Sequence, residues 1–244
     1  MEFAWNTQKN KITDIKGLEL EQERKGKITN KEIDLSRTDL NYDLVKSNIN
    51  LYNRIKNRVE AVRSVSKVQK NSVVDYSNII TIPRDEANKW GIEESKRYFK
   101  EVYNYFCNEF GKENVVSAKV HLDETSPHMH LHFVPVSAEG KLQARKVMTP
   151  GRINKIHTEA PKYLREKGFE IERGQGKTEK SLEIKKFKEK KIEENINSLK
   201  NELKLLTEIK KEISKISYRS ISLMFSSLCL WNTLMFFQVD FQRQ

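Results

Sequence analysis

Histidines alternate with apolar residues in the stretch "HMHLHFV", residues 128–134. Successive side chains of a β-strand point to opposite faces, so this alternation predicts a strand that is buried on one side only. The buried face would carry Met129, Leu131 and Phe133, and the polar face His128, His130 and His132. A chain with this strand has to lay a sheet against a hydrophobic core.

The preceding stretch "VSAKVHLD", residues 116–123, has the same two-faced pattern. Its core side would carry Val116, Ala118, Val120 and Leu122, and its polar side Ser117, Lys119, His121 and Asp123. If residues 124–127 form the loop of a hairpin, residue 123 pairs with residue 128 and residue 121 with residue 130. We therefore expect His121 to lie opposite His130 and beside His128.

Three neutral imidazoles that converge on a rigid sheet suit a divalent transition metal, with one coordination position left open for catalysis. Asp123 and Glu124 would then fix the tautomers of the rings, or one of them would be a further ligand. The alternative is a histidine-rich surface hairpin, although the whole chain has only 5 histidines. His132 would face Lys119, away from the cluster, as a polar or phosphate-contacting residue.

The remaining patterns predict an α+β fold, one sheet with helices on one face. "SVVDYSNIITI" is typical of a buried strand that Pro83 ends, and "EFAWN" near the start also has strand character. The long polar segment after "EFAWN" has little periodicity, which favours an extended, ligand-facing structure. Apolar residues at helical spacing predict helices over residues 49–65, 85–110 and 152–167.

Composition divides the chain into a principal domain (residues 1–177), a charged helical arm (178–217) and an apolar tail (218–244). The arm favours a homodimer or another partner bound through the C-terminal helix, and a lone helix folded back on the domain is the alternative. For the tail, membrane contact, a dimer cap and an out-of-frame or truncated C-terminus stay open. The coiled-coil seam of the arm would consist of Ile192, Ile196, Leu199, Leu203, Leu206, Ile209, Ile213 and Ile216.

An excess of basic residues favours a polyanionic partner. Lysine and arginine number 45 against 34 aspartates and glutamates, a formal charge of +11. Nucleic acid is the first candidate, an anionic membrane the second, and a merely soluble basic protein the alternative. The 2 cysteines lie far apart and indicate neither a disulfide framework nor a thiolate site, and the start has no apolar run of signal-peptide length. We expect a cytoplasmic protein.

Two motifs resemble those of one known family. "HLDETSPHMHLHFVPV", residues 121–136, is similar to the histidine-rich motif of the plasmid mobilisation relaxases, or plasmid recombination enzymes (Mob/Pre, MobV-type). "LSRTDLNYDL", residues 35–44, resembles the second motif of that family, and "WNTQKNK" extends the likeness toward the start. The resemblance spans roughly residues 1 to 175.

The resemblance implies an HUH-type ferredoxin-like sheet in which His128, Met129 and His130 form the core motif and His121 is the third metal ligand. The divalent ion would be Mn²⁺ or Mg²⁺. The implied activity is to bind plasmid DNA at the origin of transfer, as single strand and hairpin, nick one strand, stay linked to its 5′ phosphate and rejoin it. The alternatives are a plasmid DNA-binding or replication protein that does not cut, and a metal-dependent nuclease that uses water.

The nucleophile departs from the family pattern. Many members carry a His-x-x-Arg motif, whereas the matching stretch here is "EQER", with Glu21 in place of the histidine and Arg24 retained. Either Glu21 attacks phosphorus, or Tyr42 does, or catalysis is lost. Position in the family favours Glu21, with Tyr42 holding DNA. The expected catalytic set is Glu21, Tyr42 and Glu124.

Basic residues near these motifs would supply DNA affinity. Tyr42 could stack on an unpaired base, while Arg24 and Arg37 contact DNA. A run of charged residues is usually just a solvated face, so no single basic residue indicates DNA binding. Only the basic residues taken together are informative. The further basic residues are Lys25, Lys27, Lys31, Arg54, Lys56, Arg58, Arg63, Lys141, Arg145 and Lys146.

Overall fold

A computed structural model describes residues 1–25, 30, 32–65, 67–174 and 192–215. Two compact units are present, Met1–Gly176 and Lys177–Gln244. The strands of the first unit are β1 (Ala4–Lys11), β2 (Tyr42–Asp43), β3 (Val73–Thr81), β4 (Val115–His121) and β5 (His128–Phe133). Its α-helices are α1 (Ile15–Gln22), α2 (Leu51–Arg63), α3 (Arg84–Phe110), α4 (Ala144–Val147) and α5 (Pro150–Glu166), and Leu35–Leu40 form a 3₁₀-helix.

The five strands form one antiparallel sheet in the order β1-β3-β5-β4-β2. The alternating strand "HMHLHF" is β5, the central strand, so both of its edges are paired. Met129, Leu131 and Phe133 are fully buried, as the alternation predicted. The α+β class is therefore confirmed, and His128, His130 and His132 lie on a strand that is paired on both sides.

Hydrophobic cores lie on both faces of the sheet. The larger core packs α3 and α5 against β4 and β5. On the histidine face, α1 and α2 cover a smaller core of Ile15, Leu51, Ile55, Val59, Val74, Val116 and Val134. The expectation of helices on one face was wrong, because α1 and α2 bury their few apolar residues beside the polar face of β4.

The segment after β1 contains a helix that the sequence pattern did not predict. Only Ile15 and Gln22 of α1 are buried, seven positions apart, or about two helical turns. One apolar and one polar buried position give no visible periodicity. The expectation of an extended segment was therefore wrong at α1.

Helix α3 has the predicted bounds within one residue but contains a break. Gly91 has φ 74° and ψ −176°, and the Ser95 hydroxyl donates to its carbonyl at 2.7 Å. That backbone region is accessible essentially to glycine alone. Gly111, at φ 87°, follows the last turn of the helix as expected of a C-terminal stop.

In the second unit, residues 192–215 are helical, as predicted for the arm. The seam residues Ile192, Ile196, Leu199, Leu203, Leu206, Ile209 and Ile213 are all exposed. Ile216, residues 178–191 and the apolar tail 218–244 lie outside the described residues. Among the helices that are described, none is long and apolar enough to cross a membrane.

Candidate metal centre and its surroundings

Strands β4 and β5 bring the three histidines to one face, with a register that differs from the predicted one. His121 pairs with His128, and Lys119 pairs with His130. The expected pairing of residue 121 with residue 130 was wrong because the loop spans residues 122–127, two residues more than predicted. A shift of two residues preserves the face of every side chain, so the histidines still converge.

A β-bulge in β4 moves one predicted core residue. Val115 pairs with Phe133 and Ser117 with His132, so Val116 is the extra residue between them. Val116 therefore joins the smaller core on the histidine face. Its predicted placement on the side of Ala118 was wrong.

His121, His128 and His130 form a triad in which one ring nitrogen of each histidine lies close to those of the other two. His121 Nδ1 lies 3.3 Å from His128 Nε2, which lies 3.1 Å from His130 Nε2. Such ligand atoms, all within 4.8 Å of one another, form a group that could hold a metal ion. Two ring nitrogens this close either share a hydrogen bond or bind a common cation, because two bare lone pairs repel.

Backbone acceptors select the tautomers of two rings. His121 donates Nε2–H to the carbonyl of Gln22 at 2.8 Å, and His128 donates Nδ1–H to the carbonyl of Ser126 at 3.1 Å. The opposite nitrogen of each neutral ring then points its lone pair at the shared centre.

Burial lowers the pKa of His121 to about 3, with smaller effects from His128 and Arg24. Burial and the neighbouring His128 and His121 also lower the pKa of His130 well below its usual value. The neutral forms of His121 and His130, which are the forms that bind metal, are therefore favoured.

Asp123 is occupied by protein donors. Arg24 donates Nε–H to Oδ2 at 3.0 Å and Nη2–H to Oδ1 at 2.8 Å, and Asn41 and Thr38 donate to Oδ2 at 2.7 and 3.2 Å. Burial raises the pKa of Asp123, but the bonds from Arg24 and Asn41 outweigh it and lower the value to about 2. This carboxylate is a buried counter-charge for Arg24 and has little capacity left for a metal.

Glu124 lies closer to the open side of the triad. Its Oε1 accepts from Arg24 Nη2 at 2.7 Å and lies 3.9 Å from His128 Nε2. Arg24 thus binds two carboxylates, its side chain is only 7% exposed, and its backbone has a left-handed φ of 54°. This placement argues for Arg24 as a link within the site rather than a DNA contact.

Tyr42 and Glu21 have opposite surroundings. Tyr42 pairs with Val120 and packs on the larger core, and its buried hydroxyl has no hydrogen-bond partner. Paired residues share a face, so Tyr42 points away from His121. Glu21 is exposed in the last turn of α1, next to Gln22, whose carbonyl binds His121. The placement of Tyr42 does not fit an attacking or stacking role at the histidines.

The "NYDL" motif positions β4, a role that sequence reasoning missed. Asn41 Oδ1 accepts from the Leu122 amide at 2.7 Å, and Asp43 Oδ1 accepts from the Ala118 amide at 3.0 Å. Asp43 Oδ2 also accepts from Arg54 Nη1 at 2.6 Å. The signal was the motif itself, in which the short polar side chains of Asn41 and Asp43 lie on either side of Tyr42.

His132 is buried between protein partners. Its Nδ1 lies 3.0 Å from Asp75 Oδ2 and its Nε2 lies 2.9 Å from Gln22 Oε1, and the residue is 1% exposed. Its strand partner is Ser117, not Lys119. The expectation of a phosphate-contacting role was therefore wrong, because neither ring nitrogen reaches solvent.

The predicted basic residues divide into bound and exposed groups. Arg54 is bound to Asp43, and Arg58 donates to Asn114 Oδ1 at 2.8 Å. Lys27 and Lys31 lie outside the described residues. The exposed members are Lys25, Arg37, Lys56, Arg63, Lys141, Arg145 and Lys146.

Comparison with known proteins places the chain in one family. Residues 2–189 match the family Mob_Pre, plasmid recombination enzyme. A plasmid recombination enzyme of Bacillus sp is 37% identical over 202 residues, which cover 81% of this chain and 48% of the relative. A type 2 plasmid recombination enzyme of Staphylococcus aureus (strain N315) is 36% identical over 200 residues, or 80% of this chain and 47% of the relative. The chain thus spans about half the length of these curated relatives.

Solved structures show the same fold. The manganese-bound relaxase domain of MobM, crystallised with oriT DNA of plasmid pMV158, superposes with a TM-score of 0.73 at 31% identity and covers 78% of this chain and 98% of that domain. A second manganese-bound crystal structure of that domain with the same origin DNA gives a TM-score of 0.72. The chain belongs to the Mob_Pre family of plasmid recombination enzymes.

Proposed function

We propose that this protein is a plasmid mobilisation relaxase that binds an origin of transfer, cuts one strand by transesterification, stays linked to the 5′ phosphate and rejoins the ends. The observation that carries the proposal is the convergence of His121, His128 and His130 on one face of β4 and β5. The related MobM domain, with the same fold, is bound to oriT DNA and manganese. Plasmid DNA as substrate would place the reaction in the bacterial cytoplasm.

The triad fits a divalent cation. Ligand nitrogens about 2.1 Å from an ion lie about 3.0 Å apart at a right angle and about 3.4 Å apart at the tetrahedral angle. The nitrogens of His121, His128 and His130 are separated by 3.1 and 3.3 Å. We favour Mn²⁺ over Mg²⁺ because imidazole suits transition metals. A bound ion would polarise the scissile phosphate and stabilise the charge that develops on it.

Glu21 is the proposed nucleophile. It is exposed, and it directly precedes Gln22, which binds His121 through its carbonyl. A solvated carboxylate is ordinarily ionised at neutral pH and needs no general base. One of its oxygens would form a bond to phosphorus while the bond from phosphorus to the 3′ oxygen breaks. The freed 3′ oxygen would take up a proton from water, and attack by that oxygen on the acyl phosphate would reverse the step.

Glu124 and Arg24 would organise the phosphate side of the site. The two carboxylates bound to Arg24 hold its guanidinium beside the triad, and Glu124 reaches within 3.9 Å of His128. We propose that Glu124 orients the reacting groups while Arg37, exposed on the 3₁₀-helix, binds phosphate. Each phosphate contact by a basic residue should add to the salt dependence of DNA affinity.

The test is a strand-transfer assay on supercoiled plasmid that carries the cognate origin, with Mn²⁺ added. We expect relaxed circles with protein on a 5′ end, and mass spectrometry of the trapped peptide should find the adduct on Glu21. His130→Ala should abolish cutting but retain much of the DNA affinity. His157→Gln, a change at a histidine that is no member of the triad, should cut normally. DNA binding without any adduct would contradict the proposal.

Two alternatives predict different products. A DNA-binding or replication protein that does not cut would leave the plasmid supercoiled while affinity for the origin persists. A nuclease that uses water would turn over repeatedly, release free 5′ phosphates and survive the loss of both Glu21 and Tyr42.

We further propose that the arm forms a homodimer. The helix of residues 192–215 exposes apolar side chains at coiled-coil spacing. Leu199→Glu with Leu206→Glu should convert a dimer to a monomer in analytical ultracentrifugation, because a charge in the seam would be buried unpaired. Glu202→Gln, a change on the same helix outside the seam, is the control. A wild-type monomer at micromolar concentration would contradict the proposal.

A further inference from the structure

A row of buried polar side chains lies beside the histidine triad, on the same face of the sheet. It links Asp75 on β3, His132 on β5 and Gln22 at the end of α1 through contacts of 3.0 and 2.9 Å. The three residues are 0%, 1% and 2% exposed. Asn10 on β1 also donates to Asp75 Oδ2, at 2.8 Å. Both ring nitrogens of His132 and both polar atoms of the Gln22 amide have partners, which fixes the orientation of these two side chains, whereas Oδ1 of Asp75 and Oδ1 of Asn10 are buried without one.

Gln22 connects this row to the triad through two different groups. Its backbone carbonyl accepts from His121 Nε2 at 2.8 Å. Its side-chain Nε2 donates to Ser117 Oγ at 3.2 Å, and the Ser117 hydroxyl in turn donates to Asp43 Oδ2. Because that hydroxyl already donates, the amide nitrogen faces Ser117 and the amide oxygen faces His132. Both polar atoms of the Gln22 amide are therefore bound, and these contacts fix the position of the last turn of α1.

We infer that Gln22 is a positioning residue, held by His132 and Asp75, that sets the tautomer of His121 and the place of the adjoining Glu21. This inference rests on the proposed function only for the role of Glu21. The carbonyl bond leaves His121 Nδ1 as the free nitrogen toward His128, and the same turn of helix carries Glu21. Partners of this kind behind a metal-binding histidine typically change metal affinity or activity by about 10- to 100-fold when lost.

The test compares Gln22→Leu and Asp75→Leu with Asp75→Asn and Ile15→Val in the full chain. At position 22 leucine keeps the approximate volume of glutamine, and at position 75 it is larger than aspartate; at both positions it leaves the polar neighbours unpaired. Asp75→Asn retains an oxygen that can accept from His132. Ile15→Val weakens the packing of α1 without touching the row of polar side chains. Mn²⁺ affinity is measured by calorimetry, the His121 tautomer by ¹⁵N NMR, and the kcat and KM of nicking on an origin oligonucleotide.

We expect Gln22→Leu and Asp75→Leu to weaken Mn²⁺ binding about 10-fold, to give mixed tautomers at His121, and to lower kcat with little change in KM for DNA. Asp75→Asn should retain most of the wild-type affinity for Mn²⁺. Ile15→Val should lower the melting temperature and change neither affinity nor tautomer. The inference is overturned if Gln22→Leu resembles Ile15→Val in every readout. Mn²⁺ affinity and the His121 tautomer test the inference even if the wild type does not nick DNA. A wild type that does not nick would contradict only the proposed function.

Discussion

Two candidate nucleophiles, Tyr42 and Glu21, illustrate how local surroundings decide the chemistry of a side chain. Burial, with a contribution from Glu93, raises the pKa of Tyr42 to about 12, so its phenolate form is disfavoured. Its hydroxyl is buried without a partner on the face opposite His121. Glu21 is solvated at the end of α1, one residue from a contact with the triad.

Tyr42→Phe should leave DNA nicking within about threefold of wild type and raise the melting temperature. A buried hydroxyl without a partner costs about 1 kcal/mol or more, which corresponds to about 2–4 °C for a chain of this size. Calorimetry and the plasmid assay measure the two effects. Tyr163→Phe is the matched control, because the Tyr163 hydroxyl donates to Glu101 at 2.8 Å and its loss should not stabilise the protein. Loss of nicking in Tyr42→Phe would reinstate Tyr42 as the nucleophile.

Arg24→Leu should destabilise the protein by about 3–5 kcal/mol at pH 7, because it leaves the buried Asp123 carboxylate without its main partner. The pKa of Asp123 is about 2 in the folded protein and about 3.9 when unfolded. The pair therefore stabilises fully above about pH 5, and the contribution is lost as the pH falls toward 2.

Urea titrations of wild type and Arg24→Leu at several pH values measure this difference, which should shrink as the solution becomes more acidic. Arg63→Leu breaks an exposed ion pair with Glu60 and should cost less than about 1 kcal/mol. Equal effects of the two substitutions would show that the Arg24 network contributes little to stability.

At the level of single elements, glycines have opposite roles in α3 and α1. Gly91 occupies a backbone region that other residues avoid, whereas Gly17 lies inside α1, where an added Cβ meets nothing within 4 Å. The break at Gly91 ends the first part of α3 beside the loop that carries Glu124; both residues line a cavity of about 230 Å³.

Gly91→Ala should lower the free energy of unfolding by about 1–3 kcal/mol, since the substitution strains the backbone. Gly17→Ala should raise it by about 0.5–1 kcal/mol, since alanine loses less conformational entropy in a helix. Chemical denaturation measures both. If Gly91→Ala is neutral, the break in α3 adapts to a helical conformation at no cost.

Across the whole domain, metal binding should raise the free energy of unfolding. The three ligands lie on β4 and β5, and the polar residues that hold them in place directly or through His132 lie on α1, β1 and β3. A ligand that binds only the folded state stabilises it by about 2.7 kcal/mol at 100 times its dissociation constant.

Mn²⁺ should therefore raise the melting temperature of the wild type, and a chelator should reverse the shift. His128→Ala should lose the response, because one of the three nitrogens is removed. His157→Gln should keep it, since His157 packs against Trp5, with ring centroids 4.8 Å apart, and is no member of the triad. An undiminished response in His128→Ala would show that the ion binds elsewhere.

Local patterns were sufficient to place β1, β3, β4 and β5, the long helices and the histidine face, but not the two-residue strand β2, because alternation and helical spacing depend only on neighbours in sequence. The family motifs agreed with the triad that the alternation predicted, and they gave Glu21 as a candidate nucleophile. The register of β4 against β5 was not predictable, since it depends on a loop longer than a tight hairpin needs and on the bulge at Val116.

Tertiary structure alone decided what each polar residue faces. His132 meets Asp75 across 57 positions of sequence, Arg24 meets Asp123 across 99, and Tyr42 turns its hydroxyl into the core. Nothing in their neighbours along the chain distinguishes these side chains from ones that would contact DNA. The distinction arises from burial, because a polar group withdrawn from water takes whichever partner the packing of distant strands and helices brings to it.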